Sequence, residues 1–148
     1  MGALFGCHFP ADRHYHVEHN VWVRREANGV ATIGATSYGC ALAGEFVSFV
    51  PKRVGTEIAR DQGLGIVELF KVVHAIHSPV SGRIVAVNAD AQADPGLIHR
   101  DCYDAGWFVQ LEPSDWEREV TQLLTGDAAL AGFAERMRWD RFEGVVDG

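Results

Sequence analysis

The chain has 148 residues, 47% of them hydrophobic, which suits one ordinary globular domain with its own core. A formal charge of −7, with no basic block to offset it, argues against nucleic acid or an anionic membrane as a partner. No apolar stretch approaches the length of a membrane span. The first residues lack the basic and apolar regions of a secretory signal, and Gly6 stands where a myristoylation motif needs Ser or Thr. The expected location is the cytoplasm.

In chain order, the first two-thirds reads as short strands and turns. Val21-Trp22-Val23-Arg24-Arg25 leads to the turn signal Asn28-Gly29 and then to Val30-Ala31-Thr32-Ile33, a predicted hairpin. Residues 36–43 form a turn or short helix. Residues 45–50 read as a strand that closes before Pro51, which cannot donate to a sheet ladder. Further strands are predicted at 83–88 and 106–111. Glycines at 29, 34, 39, 44, 55, 63, 65 and 82 punctuate this stretch at short intervals, which implies a small sandwich or partly closed barrel. Ser114-Asp115-Trp116-Glu117 is a capping-box pattern opening a helix through Leu124. Gly126-Asp127 opens a second, with Leu130, Phe133 and Met137 on one side as core packing. From Arg138 the charged tail is expected to fray.

Cys7, Cys40 and Cys102 are an odd number without paired spacing, so neither a disulfide framework nor a zinc knuckle is expected. Each reads as a buried or idle thiol, with Cys7 the one to watch because a place near the terminus leaves room for exposure. His14, His16 and His19 cluster, as do His74 and His77. Three-residue spacing makes a common face on a helix but not on a strand, and no cysteine pair lies nearby, so no metal site is expected.

Lys71 stands alone between two short apolar runs, in a segment whose second run ends at the turn signal Ser78-Pro79-Val80-Ser81-Gly82. Two β-prone runs folding back on each other would present its amine at a hairpin tip, which suits covalent attachment of an arm. Phe70, Val72 and Val73 form an apolar run where such a tip should be wet, and are read as a docking patch for enzymes that load and use the arm.

These residues in this order resemble the glycine-cleavage H-protein family. The resemblance runs from about Tyr15 to Met137. Glu68-Leu69-Phe70-Lys71-Val72 stands where family members carry Glu-Ser-Val-Lys-Ala with a lipoylated lysine. Pro79-Val80-Ser81-Gly82 and Val87-Asn88 match the segment after it. Asp94-Pro95-Gly96-Leu97-Ile98, Cys102 to Trp107 and Pro113-Ser114-Asp115 match the downstream pattern. The resemblance implies a mainly β fold with a few helices, a lipoyl/biotinyl-type barrel-sandwich hybrid with C-terminal helices. Its expected organisation is an N-terminal extension at 1–14, a carrier domain at 15–138 and a flexible tail at 139–148. It also implies lipoic acid in amide linkage on Lys71, with Glu68 helping the lipoate attachment enzyme recognise the hairpin or serving simply as a solvated strand residue. Such a protein is a carrier serving partner enzymes, dihydrolipoamide dehydrogenase among them, and not itself a catalyst. Biotin carriers place their lysine between methionines, so biotin is the poorer fit.

Near the arm the chain departs from the glycine-cleavage pattern. Leu69, His74 and Ala75 replace two serines and an aspartate, and the family's His-Glu-Trp-Val becomes His19-Asn20-Val21-Trp22. An aminomethylated arm carries an amine that benefits from nearby carboxylates and hydroxyls. Residues 6–12 with 15–18, residues 36–44 and residues 51–55 resemble instead the lipoate-binding proteins of bacterial sulfur oxidation. That resemblance implies a heterodisulfide-reductase-like complex as partner and sulfur intermediates as cargo. His74 would then be placed to pass a proton to an arm thiol. The expected function is therefore a lipoyl carrier for sulfur oxidation, with the glycine-cleavage H protein as the alternative. An unmodified structural or regulatory module is the alternative of another class. A Cys–His enzyme lacks a recognisable arrangement, since nothing orients Cys102 and His99.

Overall fold

The structure is a computed structural model describing residues 2–70 and 72–142. In chain order the strands and helices are β1 (Gly2–Leu4), β2 (Cys7–Phe9), β3 (His14–His16), β4 (Val21–Arg25), β5 (Ala31–Ala35), α1 (Ser37–Ala43), β6 (Phe46–Pro51), β7 (Glu57–Ile58), β8 (Gly63–Leu69), β9 (Val73–His77), β10 (Gly82–Val87), α2 (Ala89–Ala93), α3 (Gly96–Arg100), β11 (Val109–Pro113), α4 (Trp116–Glu119) and α5 (Gly126–Trp139). A six-stranded sheet runs β3-β4-β5-β11-β10-β7, a three-stranded sheet runs β6-β8-β9, and β1 and β2 form a small hairpin. Every recorded strand pair is antiparallel.

The β4–β5 hairpin turns where Asn28-Gly29 predicts it. The Asn28 side chain accepts a bond from Val30 N–H at 3.1 Å, and Gly29 takes φ +88°, a left-handed conformation that glycine adopts without a Cβ penalty. β5 is buried along its whole length between β4 and β11. Gly34 lies against the indole of Trp22, where an added Cβ would fall 2.5 Å from the ring. The resulting layer, with Ile33, Val23, Leu111, Ile84 and Val109, is the centre of the core.

Several motif residues prove to be fasteners. Asn88, buried, caps α2 through Ala91 N–H and donates its amide to the carbonyls of Ala105 and Trp107, each at 2.8 Å. Tyr103 donates its hydroxyl to the His8 carbonyl at 2.6 Å and receives Ser37 N–H at 3.0 Å. Ser81 donates both its N–H and its hydroxyl to the buried Glu119 carboxylate at 2.7 Å.

Two expectations, the helix from Ser114 and the fraying from Arg138, need correction. The helix predicted from Ser114 to Leu124 is the single turn α4 followed by a 3-10 turn at Val120–Gln122. Its N-cap is Asp115, whose carboxylate pairs with Arg118 at 2.7 Å and makes no cap bond, and the helix stops short as Glu119 turns inward onto Ser81 and Leu124 bridges to Tyr15. Residues 4–14 pack on the body: Phe9 stacks on Phe133 of α5 with centroids 4.3 Å apart, and Cys7 is fully buried. The helix continues past Arg138, and residues 140–142 are tied down. Asp140 accepts the Tyr38 hydroxyl at 2.6 Å, and Phe142 packs edge-on against the Tyr38 ring. Residues 143–148 of the expected tail lie outside the described residues.

Candidate functional site

β8 and β9 form the hairpin expected around Lys71. Their register pairs Val67 with His74 and Glu68 with Val73. Beyond that pair, Leu69 N–H donates to Val72 C=O at 2.8 Å and Val72 N–H to Leu69 C=O at 3.4 Å, so the connection is two residues long. Tight two-residue connections of this kind fix strand register. Lys71 itself lies outside the described residues. Its neighbour Phe70 is 81% exposed, and Val72 and Val73 are more than half exposed. Glu68 and His74 face outward on the same hairpin.

A cleft of about 360 Å³ opens beside the hairpin. Val67, Leu69 and Ile76 of the hairpin form one wall, and Leu42 of α1, Phe46 of β6 and Phe108 contribute others. His74, His19, Asn20 and Arg136 supply its polar groups, and no Asp or Glu is among its lining residues. Arg136 is held by the Val17 and Glu18 carbonyls at 2.8 and 2.6 Å and reaches Asp140 at 3.3 Å. An apolar trough with a few fixed donors, starting two residues from a hairpin tip, fits an acyl chain ending in a dithiolane.

His19 also lines a second pocket on its other side, with His16, Asp61 and His77. His16 and His19 stack with centroids 4.3 Å apart, and His19 stacks on His77 at 4.4 Å. Asp61 Oδ1 lies 3.2 Å from His16 Nε2 and 3.5 Å from His19 Nε2. Burial, then the neighbouring imidazole, holds His16 and His19 below the usual histidine value, against the opposing pull of Asp61. The sequence reading considered these histidines by spacing alone and missed Asp61. It lies far along the chain and carries no local signal beyond its turn position.

His74 and His77, by contrast, do not share one face. His74 opens onto the arm cleft and His77 onto the second pocket. His99, on α3, is exposed, whereas Cys102 is buried, and Cys40 and Cys102 lie together in the core. Hydrogen bonding to Cys102 and burial push the Cys40 thiol up, and burial likewise raises Cys7. These thiols are protected rather than activated.

A family model described as "Glycine cleavage H-protein" matches residues 13–135. The chain belongs to the glycine-cleavage H-protein family. A relative named "Glycine cleavage system H protein 5" from Aquifex aeolicus is 34% identical over 87% of this chain and 89% of its own length. "Probable glycine cleavage system H protein 2" from Sulfurisphaera tokodaii is 30% identical over 97% of each chain. The crystal structure of a glycine cleavage system H protein from Mycobacterium marinum superposes with a TM-score of 0.72 at 29% identity, covering 90% of this chain and 100% of that one. The mainly β fold with C-terminal helices expected from the sequence is thus the H-protein fold. H proteins are carriers that bear lipoic acid covalently on a lysine, so lipoic acid is this chain's cofactor. Among the described residues, no helix is long and apolar enough to cross a membrane.

Proposed function

We propose that Lys71 is the lipoylated lysine and that the chain works as an H protein, passing arm-bound intermediates between partner enzymes. The observation that carries this is the closed β8–β9 hairpin, whose two-residue connection contains position 71, set beside the apolar cleft. Lipoyl attachment converts the amine to an amide and so removes its charge. The bound group supplies a reversible dithiol–disulfide pair, and tethering raises its effective concentration at each docked enzyme. Glu68 serves recognition by the lipoate attachment enzyme, and exposed Phe70, Val72 and Val73 supply the apolar docking patch. The working surroundings are the cytoplasm.

The names of the relatives support a glycine-cleavage role, with an aminomethyl group as cargo and the glycine cleavage enzymes, dihydrolipoamide dehydrogenase included, as partners. A second reading rests on the cleft lining. With Arg136 and no carboxylate there, an aminomethyl ammonium finds no counter-charge, whereas a neutral or anionic sulfur species is accommodated. That reading makes a heterodisulfide-reductase-like, sulfur-oxidising complex the partner. Glycine–bicarbonate exchange with a glycine decarboxylase and the lipoylated chain separates the two. Turnover at the rate of an authentic H protein establishes the aminomethyl cargo. Its absence, with the lipoyl group demonstrably attached, establishes the sulfur reading's premise that the cleft rejects an ammonium.

A further inference from the structure

We propose that His16, His19 and Asp61 form a site for a divalent transition-metal ion of the zinc class, beside the arm cleft and independent of the arm. Three turns or strand ends converge to build it. His16 closes β3, His19 lies in the β3–β4 turn, and Asp61 lies in the turn that precedes β8. Their ligand atoms all fall within 4.8 Å of one another.

The spacing is that of a coordination shell. Zinc holds nitrogen and carboxylate oxygen at about 2.0–2.1 Å, so neighbouring donors on a tetrahedron lie about 3.3 Å apart. The two imidazole-to-carboxylate distances, 3.2 and 3.5 Å, bracket that edge. A lone histidine–aspartate hydrogen bond accounts for one such contact, but here a single carboxylate oxygen is shared by two ring nitrogens.

The backbone around Asp61 is arranged to aim its carboxylate. Asp61 takes φ +70°, a conformation uncommon for a residue with a Cβ. It is held there by its N–H bond to the Ser78 carbonyl at 2.8 Å and by its own carbonyl's contact with His77 Nδ1 at 2.9 Å. Because a carbonyl oxygen can only accept, that contact has His77 Nδ1–H as its donor. His77 stacks on His19 at 4.4 Å and so steadies that ring from the other side. The other carboxylate oxygen, Oδ2, faces Arg60 at 3.9 Å, and that guanidinium shares the pocket with the imidazoles. Glu18 and Asp61 against Arg60 make the charged lining of the pocket two acidic groups to one basic, a net of −1 that favours a cation. Coordination through His16 Nε2 moves its proton to Nδ1 and gives up the long 3.4 Å contact from His19 N–H, a weak bond to lose. The pocket is open to solvent, which leaves at least one position for water and makes the site exchangeable.

The test is titration of chelator-stripped, full-length protein, its arm oxidised, with Zn²⁺ and with Co²⁺ as a spectroscopic probe. One equivalent is expected to bind with a micromolar or tighter Kd. The Co²⁺ form should show the visible bands of a four-coordinate ion without a thiolate-to-metal band. Asp61→Asn and His19→Gln should each weaken binding by at least about tenfold, whereas His99→Gln and Lys71→Arg should bind as the wild type. Asp61 is about half exposed, so its Asn variant is expected to fold, checked by circular dichroism, even where a histidine variant does not. The proposal is overturned by failure to saturate below millimolar metal, by undiminished binding to folded Asp61→Asn, or by a thiolate band.

Discussion

Trp22 and Gly34 occupy one another's space, on neighbouring strands, and the contact has a cost attached to changing it. With an ideal Cβ at Gly34 only 2.5 Å from the indole, Gly34→Ala must displace a fully buried ring whose Nε1 donates to the Cys102 carbonyl at 3.0 Å. Overpacking of this kind costs about 1–3 kcal/mol, and chemical denaturation should show a loss in that range with unchanged m. The three thiols offer a second check at this scale. Cys7, Cys40 and Cys102 are buried, so iodoacetamide should label the native protein far more slowly than the unfolded one. Rapid labelling of Cys7 in the native state would contradict its buried place on β2. Glu26 sets a third. Burial alone would raise its carboxyl, but hydrogen bonds from Arg24 and Thr32 hold it below the usual carboxylate value. A carboxyl with a lowered folded-state pKa contributes stability above its unfolded value of 4.5 and loses it as pH falls through the folded value. Glu26→Gln should therefore lose stability at neutral pH and show a flatter acid limb than the wild type in denaturation followed from pH 7 to pH 3.

At the scale of elements, α5 is the clamp. Its Phe133 is fully buried, stacked on Phe9 and edge-on to Tyr15, so one helix holds both the N-terminal hairpin and β3. Phe133→Ala should cost about 3–5 kcal/mol by the cavity it leaves, read as a lower denaturation midpoint. The hairpins were legible in the sequence because their signals are local. Asn28-Gly29 dictates a turn, and the two apolar runs around Lys71 need only each other to pair. Phe133 and Met137 were legible for the same reason, as one stripe of a helix. The length of α4 was not, because Ser114 and Glu117 satisfy a local pattern that Glu119's bonds to Ser81 override from 38 positions away. The residues behind the family resemblance divide in the same way. Asn88, Tyr103 and Ser81 fasten the fold through their hydrogen bonds, while Leu69, His74 and Ala75 line the cleft, where no such fastening holds them. The second pocket was invisible in the sequence for want of any local link between Asp61 and the histidines that the turns bring to it.

For the whole molecule, the proposal rests on a β platform whose β8–β9 hairpin, with position 71 in its connection, stands beside an apolar cleft. Two of its sheets meet around the cleft, β6-β8-β9 supplying the hairpin wall and the β4–β5 layer supplying the floor through Val21 and Ala35. The platform is expected to be indifferent to the arm: Lys71→Arg should abolish lipoylation while leaving the thermal midpoint within about a degree of the wild type, since surface changes away from special contacts fall within about 0.5 kcal/mol. The most direct test of the central claim is intact-mass analysis and peptide mapping of the protein purified from its native host. The account predicts a single lipoyl-sized addition, located on Lys71 and absent from Lys71→Arg. An unmodified Lys71 in cells where lipoylation is active, or a lipoyl group on another lysine, would contradict it.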